Sequence, residues 1–298
     1  MSEYIAEFKG VSKWFEDGGV RNEVLKDINL QIKEGEFLAI VGFTGSGKTT
    51  LVNMLTGLDT PSEGEVLFKG EPIIGTSKDR GIIFQNYSLL PWLNVYENVE
   101  LAVKAVYPDW DKDRKDQQIR QFVEMVGLTP ALDKKPGELS GGMRQRVSVA
   151  RVLATDPELL LMDEPLGALD ALTRGNLQDE ILQIWSKNKR TAVLITNDVD
   201  EGVYMADRII PLKPGPNATL GPEWKIDIER PRDKKKLNSI PEFKKVRTEI
   251  LNYLVELGEA SKLTKSQEFE LPDLEPMAAN SRTFPFPRFR SANRRKVS

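Results

Sequence analysis

The chain has 298 residues, enough for one large domain or two smaller ones with a substantial buried core. Its 42 lysines and arginines are balanced by 45 aspartates and glutamates, so the chain lacks the basic excess of nucleic-acid-binding proteins. Cysteine and histidine are both absent, which excludes disulfides, suits a reducing compartment and removes the usual general base. No apolar run approaches the roughly 20 residues of a membrane-spanning helix, and no signal-peptide pattern is present, so a soluble or peripheral protein is expected.

The first 85 residues alternate strand patterns with turns. Residues 3–9 and 25–32 alternate apolar and polar side chains, as half-buried strands do. Further strands are predicted at residues 37–41, 64–70 and 81–85, which are apolar runs or are bounded by glycine. This part of the chain is therefore expected to be rich in β-structure.

Residues 42–49, Gly-Phe-Thr-Gly-Ser-Gly-Lys-Thr, complete a G-x-x-x-x-G-K-[ST] pattern between a predicted strand and a helix that ends at Gly57. Glycines let backbone N–H groups turn towards a polyphosphate, and the helix N-terminus adds its positive end. Lys48 is expected to reach the β- and γ-phosphates, and the Thr49 hydroxyl to bind Mg²⁺. The nucleotide-binding residues predicted in this loop are Gly42, Phe43, Thr44, Gly45, Ser46, Gly47, Lys48, Thr49 and Thr50.

From about residue 86 to 155 the pattern becomes helical, with apolar residues at helical spacing over residues 116–126. Residues 159–162 and 191–196 are short, wholly apolar runs, as expected of central parallel strands covered on both faces. A covering helix is predicted between them, at residues 173–185. The sequence therefore predicts a doubly wound α/β core with a helical insert.

The character of the chain changes after residue 212. A late strand is predicted at residues 225–228, and residues 242–257 have the apolar face of an amphipathic helix. From about residue 259 the chain is predicted to be disordered, because prolines and serines accompany little apolar periodicity. Its end is basic, and either a solvated tail or a contact with anionic lipid or a partner fits that composition. The basic residues of this end are Arg282, Arg288, Arg290, Arg294, Arg295 and Lys296.

Two carboxylates, Asp163 and Glu164, follow the apolar run of residues 159–162. Nucleotides bind outside the carboxyl ends of the strands in open α/β sheets. Asp163 is expected to hold Mg²⁺, partly through water, and Glu164 to polarise the attacking water. A solvated strand end is the alternative, which the upstream phosphate loop disfavours. Gln85, at the end of its own strand, can offer a neutral oxygen to Mg²⁺ or to water.

Residues 139–145, Leu-Ser-Gly-Gly-Met-Arg-Gln, open a helix whose unsatisfied first-turn N–H groups form a second anion site. One nucleotide does not need two γ-phosphate sites, so this surface is predicted to complete the site of a partner subunit. With it, the chain resembles the ATP-binding-cassette (ABC) ATPases over about residues 3–212. The five motifs of that resemblance are the phosphate loop, Gln85, residues 139–145, residues 159–164 and the turn at Asp170.

The resemblance implies a fold and a division of the chain. The fold is α/β, a P-loop NTPase (RecA-like) core with an N-terminal antiparallel β subdomain and an inserted α-helical subdomain. Residues 1–85 and 156–212 would form the core with its β subdomain, and residues 86–155 the helical signature subdomain. Residues 213–258 would form a C-terminal strand and helix extension, and residues 259–298 a disordered basic tail.

The resemblance also implies roles for individual residues. Phe15, with Trp14 as the alternative, would stack on adenine. Two cassettes would close head to tail around two ATP molecules with Mg²⁺, and Asp170 would link the two sites across the interface. Hydrolysis would then reopen the dimer. The residues that would contact the nucleotide held by the partner are Ser140, Gly141, Gly142 and Gln145; those with catalytic roles are Glu164, Lys48, Asn197 and Gln85; and those at the metal are Thr49, Gln85 and Asp163.

Asn197 departs from the family pattern, which has a histidine after the last central strand. An amide can donate a hydrogen bond to phosphate, but it carries neither a transferable proton nor a positive charge. The effect ranges from small to about 10²-fold or more, the loss seen when one transition-state donor is removed. We expect slow but real hydrolysis because Glu164 and Lys48 are in place. The alternative is a nucleotide-gated subunit that leaves hydrolysis to a partner bearing the histidine.

A single cassette without a membrane segment resembles the separate ATPase subunits of bacterial importers. Such a subunit would bind transmembrane permease subunits at the cytoplasmic face of the inner membrane and act indirectly with a substrate-binding protein, without nucleic acid. Residues 86–92 lie where importers receive a helix of the permease, although Leu89 and Leu90 also suit the core of the helical subdomain. Nitrate, nitrite or bicarbonate would be the solute, with taurine, alkanesulfonate and cyanate still open. The segments that resemble the nitrate/bicarbonate branch of the nitrate–sulfonate–taurine importers are residues 196–201, 206–212, 221–222 and 229–233.

Overall fold

A computed structural model of the chain describes residues 3–167, 169–188 and 190–268. Within these residues the chain forms ten strands and eight α-helices. The strands are β1 (Tyr4–Asp17), β2 (Val20–Lys33), β3 (Phe37–Gly42), β4 (Glu63–Phe68), β5 (Glu71–Pro72), β6 (Arg80–Ile83), β7 (Leu159–Asp163), β8 (Thr191–Thr196), β9 (Arg208–Leu212) and β10 (Trp224–Lys225). The helices are α1 (Lys48–Thr56), α2 (Val95–Val106), α3 (Lys112–Met125), α4 (Gly141–Leu153), α5 (Ala171–Asn188), α6 (Val199–Met205), α7 (Lys234–Leu237) and α8 (Pro241–Glu268).

The strands form two sheets. The N-terminal sheet is antiparallel, with the order β2-β1-β4-β5. The larger sheet has the order β10-β9-β3-β8-β7-β6, in which every pair is parallel except β10 with β9. Strands β3, β7 and β8 are buried along their whole length, as their uninterrupted apolar sequences predict. The predicted fold class is confirmed.

The parallel sheet separates two hydrophobic clusters. Along β3, Leu38 and Ile40 point towards α1 and the antiparallel sheet, whereas Phe37, Ala39 and Val41 point towards the helices on the other face. This alternation follows from the two-residue period of a strand. With both faces covered, the carboxyl edge of the sheet is the surface left for polar side chains.

Helices α2, α3 and α4 pack together as the predicted helical insert. The segment that leads into α2 is held by Asn98, which is fully buried. Its amide donates to the carbonyl oxygens of Leu90 (3.3 Å) and Leu93 (3.0 Å), and its Oδ1 accepts from the Leu90 N–H at 2.9 Å. Among the described residues, no helix is both long and apolar enough to cross a membrane.

The C-terminal region differs from the prediction in two places. The strand expected at residues 225–228 is limited to Trp224–Lys225, because only these two residues pair with the edge strand β9. Helix α8 continues through Glu268, although disorder was predicted from residue 259. The disruption from Gly258 is only about 1 kcal/mol relative to alanine, and good helix formers follow it. The amphipathic character of α8 is confirmed, and residues 269–298, with the basic end, lie outside the described residues.

Candidate nucleotide site

The phosphate loop joins β3 to α1 at the carboxyl edge of the parallel sheet. Gly47 precedes α1 with a φ of 95°, in the left-handed region that favours glycine. A Cβ at Gly42 would lie 2.7 Å from the Leu212 carbonyl oxygen, so only glycine fits there. No side chain caps α1, which leaves its first-turn N–H groups available to an anion. Of the other predicted contacts, Phe43, Thr44, Gly45 and Thr49 are exposed, Thr50 is half-buried and Ser46 is buried.

Lys48 lies at the centre of the site and is only 4% exposed. Its Nζ donates to the carbonyl oxygens of Phe43 at 2.8 Å and Gly42 at 3.1 Å. It also donates to Asn197 Oδ1 at 2.7 Å and lies 3.5 Å from Glu164 Oε1. Burial lowers the pKa of the Lys48 ammonium, and the Glu164 carboxylate opposes that shift. The three hydrogen bonds of this buried cation go to neutral oxygens, which it is well placed to exchange for phosphate oxygens.

Asn197 bridges the lysine and the expected general base. Its Oδ1 accepts from Lys48, and its Nδ2 donates to Glu164 Oε1 at 2.7 Å. Gln85 Nε2 approaches the other carboxylate oxygen of Glu164 at 3.4 Å. The structure therefore brings together all four residues expected to be catalytic. The two contacts by which Asn197 bridges Lys48 and Glu164 were not predicted, because the sequence suggested only a contact between Asn197 and phosphate.

The backbone of Glu164 is unusual for a non-glycine residue, with a φ of 45°. The left-handed conformation is disfavoured for residues other than Gly, Asn and Asp, so a local contact must hold Glu164 in it at the end of β7. The Glu164 N–H donates to the Ile195 carbonyl oxygen of β8 at 2.9 Å. This bond holds the strained turn and directs the carboxylate towards Asn197.

Thr49 and Asp163 form a separate oxygen pair. Thr49 Oγ1 donates to Asp163 Oδ2 at 2.9 Å, and burial raises the pKa of the Asp163 carboxyl. A hydroxyl beside a poorly solvated carboxylate suits Mg²⁺, which binds one or two carboxylates together with phosphates and water. The described residues contain no group of three or more acidic residues that could hold a metal without such additional ligands. Gln85, the third residue predicted at the metal, contacts Glu164 instead.

The serine–glycine segment lies at the N-terminus of α4. Ser140 is exposed, and its Oγ accepts from the Met143 N–H at 3.2 Å. A Cβ at Gly142 would lie 2.4 Å from Thr173 Cγ2, so α5 packs tightly against this helix start. The side chain of Gln145 is fully buried, contrary to the expectation that it contacts a nucleotide. It lies more than one turn into α4, where the side chain turns towards the interior.

The sequence of this chain is similar to those of known proteins. Residues 25–167 match the family model described as "ABC transporter". Over 230 residues the chain is 44% identical to the nitrate import ATP-binding protein NrtD of Synechococcus elongatus, an alignment that covers 77% of this chain and 84% of NrtD. The chain belongs to the ABC transporter family.

Two further proteins, one relative and one solved structure, are similar to this ABC cassette. The chain is 46% identical over 264 residues to the bicarbonate transport ATP-binding protein CmpC of Synechococcus elongatus, covering 88% of the chain. It spans only 40% of the length of CmpC. The ATP-binding cassette MJ0796, whose dimer was solved in a post-hydrolysis state bound to ADP and Pi, shares 32% sequence identity at a TM-score of 0.68. That likeness covers 75% of this chain and all of MJ0796.

The two aromatic residues considered for adenine differ in their surroundings. Phe15 is 46% exposed, and Lys13 Nζ lies 4.8 Å from the centre of its ring. The Trp14 ring is covered by the Arg21 guanidinium, whose central carbon lies 3.5 Å from the ring centre. Of the two rings, Phe15 has the more accessible face.

Asp170 caps the N-terminus of α5 in this cassette. Its Oδ1 accepts from the Thr173 N–H at 3.0 Å, and that backbone hydrogen bond lowers the pKa of the Asp170 carboxyl. Thr173 is also the residue that packs on Gly142. The Asp170 turn and the serine–glycine segment are therefore neighbours on one surface.

A cavity of about 880 Å³ opens beside Glu164 and Asn197. One side is formed by catalytic candidates and by Phe43 of the phosphate loop. The opposite side is formed by α8, which sequence reasoning did not place near the nucleotide. The amphipathic pattern of α8 indicates a buried face but carries no signal for what that face contacts. The α8 residues that line the cavity are Arg247, Leu251, Leu254, Val255, Gly258 and Glu259.

Proposed function

We propose that this ABC cassette is the ATP-hydrolysing subunit of an importer for a small anion, nitrate or nitrite, or bicarbonate. The observation that carries the hydrolytic part is the fixed position of Glu164, whose Oε1 accepts from Asn197 at 2.7 Å beside the buried Lys48. A carboxylate held by a neutral amide next to a phosphate-binding lysine is suited to orient a water molecule for attack on phosphorus.

In the proposed reaction, water attacks the γ-phosphorus of ATP while Glu164 accepts a hydrogen bond from it. The bond between the γ-phosphorus and its bridging oxygen breaks, which yields ADP and phosphate, and the proton lost by water leaves on phosphate or through Glu164. Lys48 transfers its hydrogen bonds from loop carbonyl oxygens to the β- and γ-phosphates. Bound Mg²⁺, held by Thr49 and Asp163, would neutralise charge on the phosphate oxygens.

The proposed active form is a pair of cassettes arranged head to tail. Exposed Ser140, with half-buried Gly141 and buried Gly142, would bind the γ-phosphate of the partner's ATP. Phe15 would stack on adenine, and Asp170 would contact the partner. The dimeric form of MJ0796 supports the pairing of two cassettes.

The transported solute is proposed from the relatives alone, since NrtD is described as a nitrate import protein and CmpC as a bicarbonate transport protein. Solute choice would then belong to permease and binding-protein subunits, with the cassette at the cytoplasmic face of the membrane. Residues 86–92 in the proposed helical subdomain, residues 86–155, would receive the permease. Trp92 is 65% exposed there, as an anchor for a partner helix would be.

The hydrolytic proposal is tested by ATPase measurements on the assembled transporter with wild-type, Glu164→Gln and Asn197→His cassettes. We expect Glu164→Gln to reduce turnover by about 10²-fold or more, because the amide cannot accept the proton. Turnover that survives Glu164→Gln would remove Glu164 as the base. Growth of a deletion strain on nitrate as sole nitrogen source, or on limiting bicarbonate, tests the solute; unimpaired growth removes that anion.

A second candidate function is a nucleotide-gated subunit that dimerises on ATP but hydrolyses it poorly. The neutral amide of Asn197, in place of a titratable ring, favours this alternative. It predicts that the purified homodimer binds ATP without turnover and that activity appears only with a histidine-bearing second cassette. Turnover by the homodimer alone contradicts it.

A further inference from the structure

Helix α8 contacts the nucleotide site at two places, the phosphate loop that carries Lys48 and the loop that carries Asn197. Arg247, Leu251, Leu254 and Gly258 recur at the spacing i, i+4, i+7 and i+11, so they share one face of the helix. All four line the cavity that contains Glu164 and Asn197. Arg247 and Gly258 are about 16 Å apart along the helix axis. One face of α8 therefore spans the cavity from end to end.

At its C-terminal end, this face contacts the phosphate loop. A Cβ built on Gly258 would lie 3.2 Å from the ring atom Cζ of Phe43, so the ring packs directly on the helix backbone. The carbonyl oxygen of Phe43 accepts from Lys48 Nζ at 2.8 Å. The position of Phe43 thus influences the position of the lysine.

At the other end, α8 is tied to the loop that carries Asn197. Arg247 forms a two-point ion pair with Asp200, in which Nη2 lies 3.1 Å from Oδ2. Asp200 belongs to the first turn of α6, and its N–H donates to the capping carboxylate of Asp198 at 2.9 Å. Asn197 immediately precedes that cap. The ion pair therefore fixes the helix start next to the bridging amide.

The rest of α8 is anchored independently of the cavity. Phe243 and Ile250 are buried in the hydrophobic core. Glu249 accepts from Trp224 Nε1 at 3.1 Å, and the rings of Trp224 and Tyr253 are 5.6 Å apart. Because the core holds the helix, changes at Arg247 or Gly258 can alter the site without detaching α8.

We propose that α8 is part of the nucleotide site and that Arg247 and Gly258 are positioning residues for the terminal phosphate of ATP. Gly258 places Lys48 through Phe43, and Arg247 places Asn197 through Asp200. This inference rests on the proposed function in that it takes the phosphate loop to bind ATP. ADP lacks the γ-phosphate that Asn197 and Glu164 face, so the two contacts of α8 should affect ATP more than ADP.

The test is calorimetric binding of Mg·ATP and Mg·ADP to the full chain carrying Glu164→Gln, which blocks turnover. We expect Arg247→Ala to weaken ATP binding by about fivefold while ADP binding changes by less than about twofold. Gly258→Leu should also weaken ATP binding by about fivefold, and ADP binding by a smaller factor, because Lys48 contacts the β-phosphate that ADP keeps as well as the γ-phosphate. Arg247→Lys, which keeps the charge, should recover most of the ATP affinity. Lys245→Ala removes a cation from an exposed position of the same helix and should change neither affinity.

The outcomes separate this inference from the function on which it rests. Leucine is a better helix former than glycine, so Gly258→Leu should not lower the melting temperature of the chain. Equal losses of ATP and ADP affinity, or unchanged affinities for both, overturn the role of α8. A parent chain that binds no ATP overturns the proposed function together with this inference.

Discussion

The two halves of the nucleotide site are built from different chemistry. The pair of Thr49 and Asp163 presents a hydroxyl and a buried carboxylate, whose charge has poor solvation and suits a divalent cation. The bridge from Lys48 through Asn197 to Glu164 is joined by a neutral amide that donates at one end and accepts at the other. In the proposed function a metal would complete the first half, whereas the second is already assembled by the protein.

The largest expected effect comes from removing the charge in the metal half. Asp163→Asn should lower ATPase turnover by about 10³-fold, because the amide is a poor ligand for Mg²⁺ while the remaining site is unchanged. The measurement is turnover as a function of Mg²⁺ concentration in the assembled transporter. Glu158→Gln is the control and should retain full activity. Glu158 precedes the other end of β7 and pairs with Lys69.

Cutting the protein-made bridge should have the next largest effect. Asn197→Leu removes both hydrogen bonds and should reduce turnover by about 10²-fold, with a smaller change in ATP affinity. Asn197→His replaces the amide with a titratable ring between Lys48 and Glu164, so its turnover should change with pH near about 6.5, the ordinary pKa of imidazole, whereas the wild type has no such group at this position. Identical pH profiles for the wild type and Asn197→His would contradict a bridging role for residue 197.

A smaller effect is expected at Gln85. Its hydrogen bond to Glu164 Oε2 is 3.4 Å long, longer than the 2.7 Å bond that Asn197 donates to Oε1. Gln85→Ala should therefore lower turnover by only about fivefold, and steady-state kinetics can measure it. A loss of turnover as large as that of Asn197→Leu would place Gln85 at the reacting groups. It would contradict the division of the site into a metal half and a half assembled by Lys48, Asn197 and Glu164.

The smallest effect concerns stability without nucleotide. Because burial raises the pKa of Asp163, its folded pKa lies above its unfolded pKa, and its ionisation opposes folding at neutral pH. That penalty is fully present above the folded pKa and disappears below the unfolded one. Asp163→Asn should raise the melting temperature by a few degrees at pH 7 and by less as the pH falls towards 4, as pH-dependent thermal unfolding would measure.

Contiguous motifs made much of the site predictable. The phosphate loop and the carboxylates Asp163 and Glu164 each follow a buried strand, so the sheet topology alone brings them to one edge. The bridge through Asn197 was not predictable, because it depends on side-chain directions at residues far apart in the chain. Gln145 follows a motif that suggests a ligand, yet helix geometry turns it inward. Sequence patterns therefore located the strand ends better than the contacts made between them.

Neither the C-terminal end of α8 nor the contacts that it makes could be predicted. Its apolar positions fit any buried surface, and composition suggested that order would end near residue 259. The packing of Phe43 on Gly258 depends on the absence of a side chain, which leaves no pattern in the sequence. The pair of Arg247 and Asp200 joins exposed charges of a kind that a sequence offers in many combinations.

The left-handed backbone at Glu164 makes the direction of this proposed base depend on the parallel sheet. The residue keeps this disfavoured geometry because its amide is tied to Ile195 on the neighbouring strand. Any loosening between β7 and β8 would let the peptide relax and swing the carboxylate away from the proposed position of the attacking water. Substitutions of buried residues between β7 and β8 should thus impair turnover even when they destabilise the protein too little to unfold it.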